Sequence, residues 1–301
     1  MSNTPFFSVV VPVFNRSNLL VNTLTSIQNQ TFKNFEIVIV NDGSTDNTLD
    51  VIQQNFGKEK RIKVISQVNS ERGAARNNGL KNSEGKYVVF FDSDDIMHPS
   101  HLEVLHSKIN ELQFPDFIST KFDFIDTNGN HRHSDIQSLK EGFYNHTLFL
   151  NGNPLACNVC VLKENPLLSF FEEDRNYAIK EDWMFLIQNM KARKIFVIDR
   201  VTISMNDHEQ RSMRSDNKLI IKRTIAAGEW IISRLDLTLA EQNQLQAHIC
   251  YFCGIHAYLD EEKKTSISFS LKAIRSGGMK IKYISLFLKS IVGRKVISFF
   301  K

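Results

Sequence analysis

The chain predicts an α/β fold built on a central, mainly parallel sheet, and three observations carry that prediction. Strand-like runs of β-branched and aromatic residues alternate four times with helical segments in the first 90 or so residues, the pattern of βαβ units. The run Tyr87-Val88-Val89-Phe90-Phe91 is apolar without interruption, as expected of a strand buried on both faces in a parallel sheet. It leads directly into Asp92-Ser93-Asp94-Asp95, and open α/β sheets bind ligands outside the carboxyl ends of their strands.

In chain order, Phe7–Val13 reads as the first strand, with Pro12 near its end where a missing N–H is tolerated. A helix carrying Leu19, Leu20, Leu24 and Ile27 follows. Phe35–Val40 is the second strand, and Asn41-Asp42-Gly43-Ser44-Thr45-Asp46 supplies turn chemistry and a cap for a helix through Leu49 and Ile52. Arg61–Ser66 is the third strand, Glu71–Leu80 a small-residue helix and Lys86–Phe91 the fourth strand. Beyond it the spacing predicts a helix over His101–Leu112, then a strand over Phe117–Ile125 that turns at Thr127-Asn128-Gly129-Asn130. Residues 131–178 carry mixed signals. A helix over Glu181–Met190 and a strand over Lys194–Ile198 complete this part, and the pattern is helical from Asp216 onward. Thr238-Leu-Ala-Glu241 is a capping box opening a helix with Leu245, Ile249, Phe252 and His256. These readings divide the chain at 1–100, 101–215 and 216–301, with a soft boundary near 210–216.

Composition is that of a globular protein, 42% hydrophobic and 23% charged, but the charge is unevenly placed. From Lys263 onward there are ten Lys or Arg and no acid, which leaves residues 1–262 with 27 bases against 33 acids. A basic tail on an acidic body argues against nucleic-acid binding by the main domain and for a tail that meets an anionic surface. Within it Ile281, Ile284, Leu288, Ile291 and Val292 fall at helical spacing among Lys280, Lys282, Lys289, Arg294 and Lys295. This fits a helix lying on anionic lipid, or one packed on the domain with a solvated basic face. The polar opening residues and the lack of a long uncharged apolar stretch predict a cytoplasmic chain without a secretory signal or spanning helix, peripheral to the membrane's inner face. The Asn-x-Ser/Thr matches at Asn29 and Asn145 then carry no glycan. Two Cys-x-x-Cys pairs, Cys157/Cys160 and Cys250/Cys253, lie in apolar surroundings without knuckle turns and read as buried thiols rather than a zinc site.

Several groups have the chemistry of a site. Asp92, Asp94 and Asp95 repel one another and need a counter-charge; hard oxygen ligands suit Mg²⁺ or Mn²⁺, although the same residues serve as a polar turn before a helix. Phe14-Asn15-Arg16-Ser17 follows the first strand with neither a Gly-x-Gly-x-x-Gly nor a Walker lysine, so a nucleotide bound here requires another means of neutralising its phosphates. Asp42 is placed to accept from a base imide or ribose hydroxyl, or is an ordinary Asp-Gly turn. Arg72 and Arg76 share a helical face, with Arg76 reaching a base or phosphate, or solvent. Glu181 and Asp182 open a helix, as the dipole favours, or supply a general base.

In order and spacing, Ser8-Val-Val-Val-Pro-Val-Phe-Asn15, Val40-Asn-Asp-Gly-Ser-Thr-Asp46, Ala74-Ala-Arg-Asn77, Phe91-Asp-Ser-Asp-Asp95 and Glu181-Asp182 resemble the motifs of family 2 glycosyltransferases over residues 6–210. The resemblance implies a GT-A fold, with a Rossmann-like nucleotide-binding half, and inverting transfer of a hexose or N-acetylhexosamine from a nucleotide-sugar, usually a UDP-sugar. The acceptor would be a glycan or lipid-linked sugar in polysaccharide, glycolipid or cell-envelope assembly. It implies that Pro12 and Phe14 line the nucleoside, Asp42 and Arg76 approach the base, and Asp92 and Ser93 lie at the donor. Asp94, with Asp95 as the alternative, would hold Mn²⁺ or Mg²⁺, His208 would sit near the diphosphate or metal, and Asp182 would be the catalytic base. Phe14 stands where Tyr is common and Glu71 where Gly is frequent, and residues 131–178 match nothing that names an acceptor. A metal-dependent nucleotidyl- or phosphotransferase and a non-catalytic, membrane-associated nucleotide-sugar-binding module are the competing classes.

Overall fold

The computed structural model describes residues 4–208 and 216–294, so most of the 210–216 boundary, and Lys295, lie outside the described residues. The chain forms two compact units. The first comprises Met1–Asn145, Pro154–Arg175 and Asn189–His208; the second comprises His146–Asn153, Asn176–Gln188 and Glu209–Lys301.

The first unit is organised by a ten-stranded mixed sheet. Its strands are β1 (Phe7–Val13), β2 (Phe35–Asn41), β3 (Ile62–Ser66), β4 (Tyr87–Phe90), β5 (Ile96–Met97), β6 (Phe117–Ile125), β7 (His131–His133), β8 (Gly142–Tyr144), β9 (Val159–Leu162) and β10 (Ile195–Asn206). The order is β3-β2-β1-β4-β9-β6-β10-β5, with β7 on β6 and β8 on β10. The first four strands of that order are parallel, β9 is antiparallel to both β4 and β6, and β6 and β10 are parallel. β4 is therefore fully buried as its apolar run predicts, but it has one parallel and one antiparallel neighbour. Two antiparallel pairings in succession restore the direction, so β1, β2, β3, β4, β6 and β10 all end at the same edge of the sheet. That edge carries the polar loops.

Helices α1 (Leu20–Gln28), α2 (Thr48–Phe56), α3 (Glu71–Asn82) and α4 (His101–Glu111) connect the strands, and α1 buries Leu20, Leu24 and Ile27. α3 buries the small residues Ala75 and Gly79, while Ala74 is only half-buried. A Cβ on Gly79 would stand 2.3 Å from a methyl of Val10. The turn predicted at 127–130 joins β6 to β7, closed by Asp126, whose carboxylate accepts from the Asn128 and Asn130 N–H groups. β10 runs eight residues past the Ile198 limit read from sequence. Asp199-Arg200 resembles a loop, yet the strand bulges there and continues, while Asp199 pairs with the buried Lys121 at 2.6 Å.

The second unit is helical: α6 (Asn217–Arg234), α7 (Leu239–Leu259), α8 (Lys263–Gly277) and α9 (Ile281–Val292), with the start of α5 (Glu181–Ala192) and a 3₁₀ segment at His146–Asn151. The predicted capping box is present, Thr238 and Glu241 each satisfying the other's backbone N–H. Among the described residues no helix is long and apolar enough to cross a membrane. All four cysteines are buried free thiols, and burial raises the Cys253 thiol to about 12.

Two predictions follow from the packing. Gly79→Ala drives a methyl into Val10 and lowers unfolding free energy by about 1–3 kcal/mol in urea titration. His101 opens α4 fully buried; its Nδ1 lies 2.7 Å from the Thr202 hydroxyl, which itself donates to Thr120, so Nδ1 carries the proton. Burial first, and the nearby His98 second, push its pKa from 6.5 to about 3. The unfolded chain therefore takes up a proton below pH 6.5 that the folded chain refuses down to about 3, and stability falls as pH is lowered through that window. From pH 7.5 to pH 5 the term is about 2 kcal/mol, measured as a drop in unfolding free energy that His101→Asn reduces.

Candidate active site

Loops from four adjacent strands converge at the polar edge of the first unit. After β1 the chain turns at Phe14-Asn15-Arg16, with Pro12 buried in the strand and Phe14 exposed. Asn15 adopts φ +50°, a left-handed conformation that asparagine tolerates. Its carboxamide oxygen accepts from the N–H groups of Thr45 and Asp46, at 2.8 and 3.3 Å, tying the first loop to the second.

Asp42 follows β2 and is buried, which an ordinary surface Asp-Gly turn would not be. Its Oδ1 accepts from Gln67 Nε2 and from the Ser70 N–H, both at 2.8 Å, and its carbonyl accepts from Asn69 Nδ2 at 3.0 Å. The loop after β3 is thus wrapped around one carboxylate. Glu71 ends that loop at φ +70°, the region glycine occupies without cost, and Arg175 spans it, 3.3 Å from Glu71 and bonded to Asn69 through both the backbone and side-chain oxygens. The Gly that is frequent here thus has a backbone reason, and Glu71 is held in the same conformation by an ion pair.

Arg76 is 1% exposed, which overturns the alternative of a solvated surface cation. Its guanidinium donates to Asp92 Oδ1 at 2.8 Å and lies over the Phe171 ring at 5.4 Å. Asn77 fixes the loop segment that carries Phe171: its Oδ1 accepts from the Phe171 N–H at 2.9 Å, and its Nδ2 donates to the Phe171 carbonyl and to Glu173.

Asp92, Asp94 and Asp95 offer carboxylate oxygens that all lie within 4.8 Å of one another. They differ in surroundings. Asp95 is buried and accepts the Asn206 N–H at 3.1 Å, so it anchors the end of β10. Asp94 is more accessible; its Oδ2 is 3.0 Å from His208 Nε2 and 3.7 Å from Arg16, and its carbonyl accepts from Asn206 Nδ2. Ser93 is buried, its carbonyl accepting from Thr23. His208 is thus brought to the acid cluster rather than left on a surface loop. The three carboxylates are a donor set that fits a hard divalent cation, with His208 beside one of them, Asp94, while Arg16 and Arg76 stand against Asp94 and Asp92. Arg16 and Asn206 were not singled out as site residues from sequence. Their part depends on which strands are neighbours, and only the position of Asn206 two residues before His208 hinted at it.

Asp182 belongs to the second unit, at the start of α5. Glu181 beside it is buried, while Asp182 is half-exposed. Asp182 Oδ2 accepts from Asn153 Nδ2 at 3.0 Å, and Oδ1 from the Trp183 N–H at 2.7 Å. Trp183 is buried with its indole N–H on the Phe149 carbonyl, 2.8 Å away. Lys180 is buried against the Phe252 ring, and burial pulls its ammonium below the ordinary value while the charge of Asp182 acts the other way. Asn153 had no signal in sequence beyond its place before Pro154.

With this geometry established, the chain can be set beside known proteins. It is 43% identical over 122 residues to glycosyltransferase GlyA of Streptococcus pneumoniae serotype 4, covering 40% of this chain and 18% of that protein. It is 41% identical over 109 residues, 36% of this chain and 35% of that protein, to a GalNAc(5)-diNAcBac-PP-undecaprenol beta-1,3-glucosyltransferase of Campylobacter jejuni. The aligned stretches span about a fifth to a third of several of the curated relatives. Among solved structures, S. aureus TarS 1-349 in complex with UDP-GlcNAc superposes with a TM-score of 0.66 at 21% identity, covering 97% of this chain and 88% of that one. At that identity the likeness speaks for the fold, which is GT-A. The profile of the family described as Glycosyl transferase family 2 matches residues 8–196, and the chain belongs to that family.

Proposed function

We propose that this protein is an inverting, divalent-metal-dependent glycosyltransferase that moves a hexose or N-acetylhexosamine from a UDP-sugar to a hydroxyl of a glycan or lipid-linked acceptor. Its setting would be polysaccharide or glycolipid assembly at the cytoplasmic face of a membrane. The observation that carries this reading is the convergence of Asp42, Arg76, Asp92, Asp94 and His208 at one sheet edge without any phosphate loop. The complex of TarS with UDP-GlcNAc and the lipid-linked acceptor in the Campylobacter relative's name point the same way.

In this reading Pro12 and exposed Phe14 flank the nucleoside, Asp42 accepts from the base, and Arg76 holds Asp92 beside the ribose. Asp94 and His208 would hold Mn²⁺ or Mg²⁺, with Asp95 fixed by its bond to Asn206 and so less free to serve. A bound divalent cation would offset the negative charge that builds on the departing diphosphate. Arg16, 3.7 Å from Asp94, adds a second positive group on this side. Asp182 would take the acceptor proton as its oxygen attacks from the face opposite the leaving group, which inverts the anomeric carbon. Asn153 positions Asp182 by bonding Oδ2. The domain division proposed is donor binding within 1–100, acceptor binding and the base within 101–215, and a helical region over 216–301.

Hydrolysis of UDP-, GDP- and dTDP-sugars, with and without Mn²⁺, tests the donor class; UDP-sugar turnover that EDTA abolishes is expected. Asp182→Asn lowers turnover about 10²–10⁴-fold while calorimetric UDP binding stays within about twofold, and full activity in that variant would remove Asp182 from the role of base. Asp94→Ala weakens Mn²⁺-dependent UDP binding more than Asp95→Asn does; the reverse ranking assigns the ion to Asp95. Asn153→Ala reduces kcat about ten- to a hundredfold with the donor KM unchanged, whereas a shift in KM alone would count against a positioning role.

A further inference from the structure

We propose that the outward stripe of α9 is a docking face for an anionic lipid bilayer. This deepens the acceptor class proposed above, and rests on that reading for its purpose but not for the binding itself. The sequence left two readings of the basic tail, a lipid-surface helix or a helix packed on the domain. The structure shows the packing, and the lipid-surface reading now rests on the face that this packing leaves exposed. α9 is seated in the helical unit through Tyr283, Leu286 and Ser290, all buried; the Ser290 hydroxyl lies 2.7 Å from that of Ser266, and Tyr283 packs with Ala247 and Ala273.

The opposite side of the same helix is apolar and exposed. Ile281 is 86% accessible and Leu288 55%, and Ile291 and Val292 are also exposed. Met279, in the turn leading into the helix, is 81% accessible. Counting from Ile281, these helical positions fall at i, i+7, i+10 and i+11, with half-buried Ile284 at i+3, so they form one continuous stripe. A contiguous apolar stripe on water is a feature that monomeric proteins rarely leave unused.

Charge selects the occupant. Exposed Lys289 lies on the flank of the stripe, the Lys280 and Lys282 ammonium groups stand 5.9 and 5.2 Å over the Tyr283 ring at the helix's edge, and no acid occurs from Lys263 onward. A second copy seated face to face would oppose lysine with lysine. An anionic bilayer instead accepts the apolar stripe at the acyl boundary and the ammonium groups among its headgroups. A helix of 12 residues is about 18 Å long, too short to span and suited to lying in the interface.

The test is co-sedimentation of the full chain with vesicles of phosphatidylcholine, with and without a quarter phosphatidylglycerol. Pelleting is expected only with the anionic vesicles, and high salt should weaken it. Combined Ile281→Asn, Leu288→Asn and Val292→Asn, all at exposed positions that leave the buried face intact, should reduce partitioning about tenfold or more. Lys282→Glu with Lys289→Glu should do the same by charge alone. Circular dichroism of both variants should match the parent. Absence of pelleting by the parent, or equal pelleting by parent and variants, would overturn the proposal. So would a concentration-dependent dimer in ultracentrifugation that the triple substitution abolishes, since the face would then belong to a second copy. UDP binding measured on the same samples keeps the readings apart: if it fails throughout while vesicle binding follows the expected pattern, the sugar-transfer reading falls and the docking face stands.

Discussion

Three carboxylates at one end of one strand set the terms for the rest of the first unit. Asp92, Asp94 and Asp95 have oxygens within 4.8 Å of one another, and their repulsion inside a partly desolvated edge must be offset. Each is offset differently. Arg76, almost wholly buried, is held at Asp92; a backbone N–H from the end of β10 meets Asp95; an imidazole and a second arginine approach Asp94. The buried guanidinium is the most demanding of these, because a charge taken out of water costs several kcal/mol unless a partner and hydrogen bonds meet it. Asp92 is thus the partner that meets the buried Arg76, and Arg76 places a positive charge against the acid cluster. The mixed sheet order serves the same end. Strands β9 and β6, inserted between β4 and β10, turn β10 so that Asn206 and His208 emerge where the acids do.

Two of the loops at this edge carry backbone strain. Asn15 and Glu71 both sit at positive φ, and each is held there by side-chain bonds to another loop. Such conformations persist when the surroundings over-determine them. Here the surroundings are a closed set: the first loop is bonded to the second through Asn15, and the second to the third through Asp42. Asp42 contributes through both its carboxylate and its carbonyl. One buried acid therefore acts as the hub of the loop after β3, whatever it also offers to a ligand.

Local periodicity made much of this legible. Phe117–Ile125 and the turn after it follow from an aromatic and β-branched run plus Asp/Asn/Gly chemistry, and the capping box at Thr238 follows from four residues. What escaped was set by long-range order. β10 looked finished at Ile198 because Asp199-Arg200 mimics a loop, and only pairing with β6 and the Lys121–Asp199 contact carry it onward. Taken alone, Arg76 could equally have been a solvated cation, because α3 departs from the usual pattern, burying Arg76, Asn77 and Gly79 while Lys81 stays exposed. No helical-wheel argument finds that, since the partners that justify burying Arg76 and Asn77, Asp92 and the backbone at Phe171, lie 16 and 94 residues away. Asn153, near Asp182, was silent for the same reason.

The helical unit poses the complementary question of what a second apolar face is for. A helix that only packs needs one apolar stripe, and α9 has that in Tyr283 and Leu286. Ile281, Leu288, Ile291 and Val292 are additional, and they lie on water at a cost that grows with their area. Were they accidental, nothing would require the neighbouring charges to share one sign, yet every charged residue from Lys263 to Arg294 is basic. Excess apolar area and one-signed charge on the same short helix are together what an anionic interface requires of it.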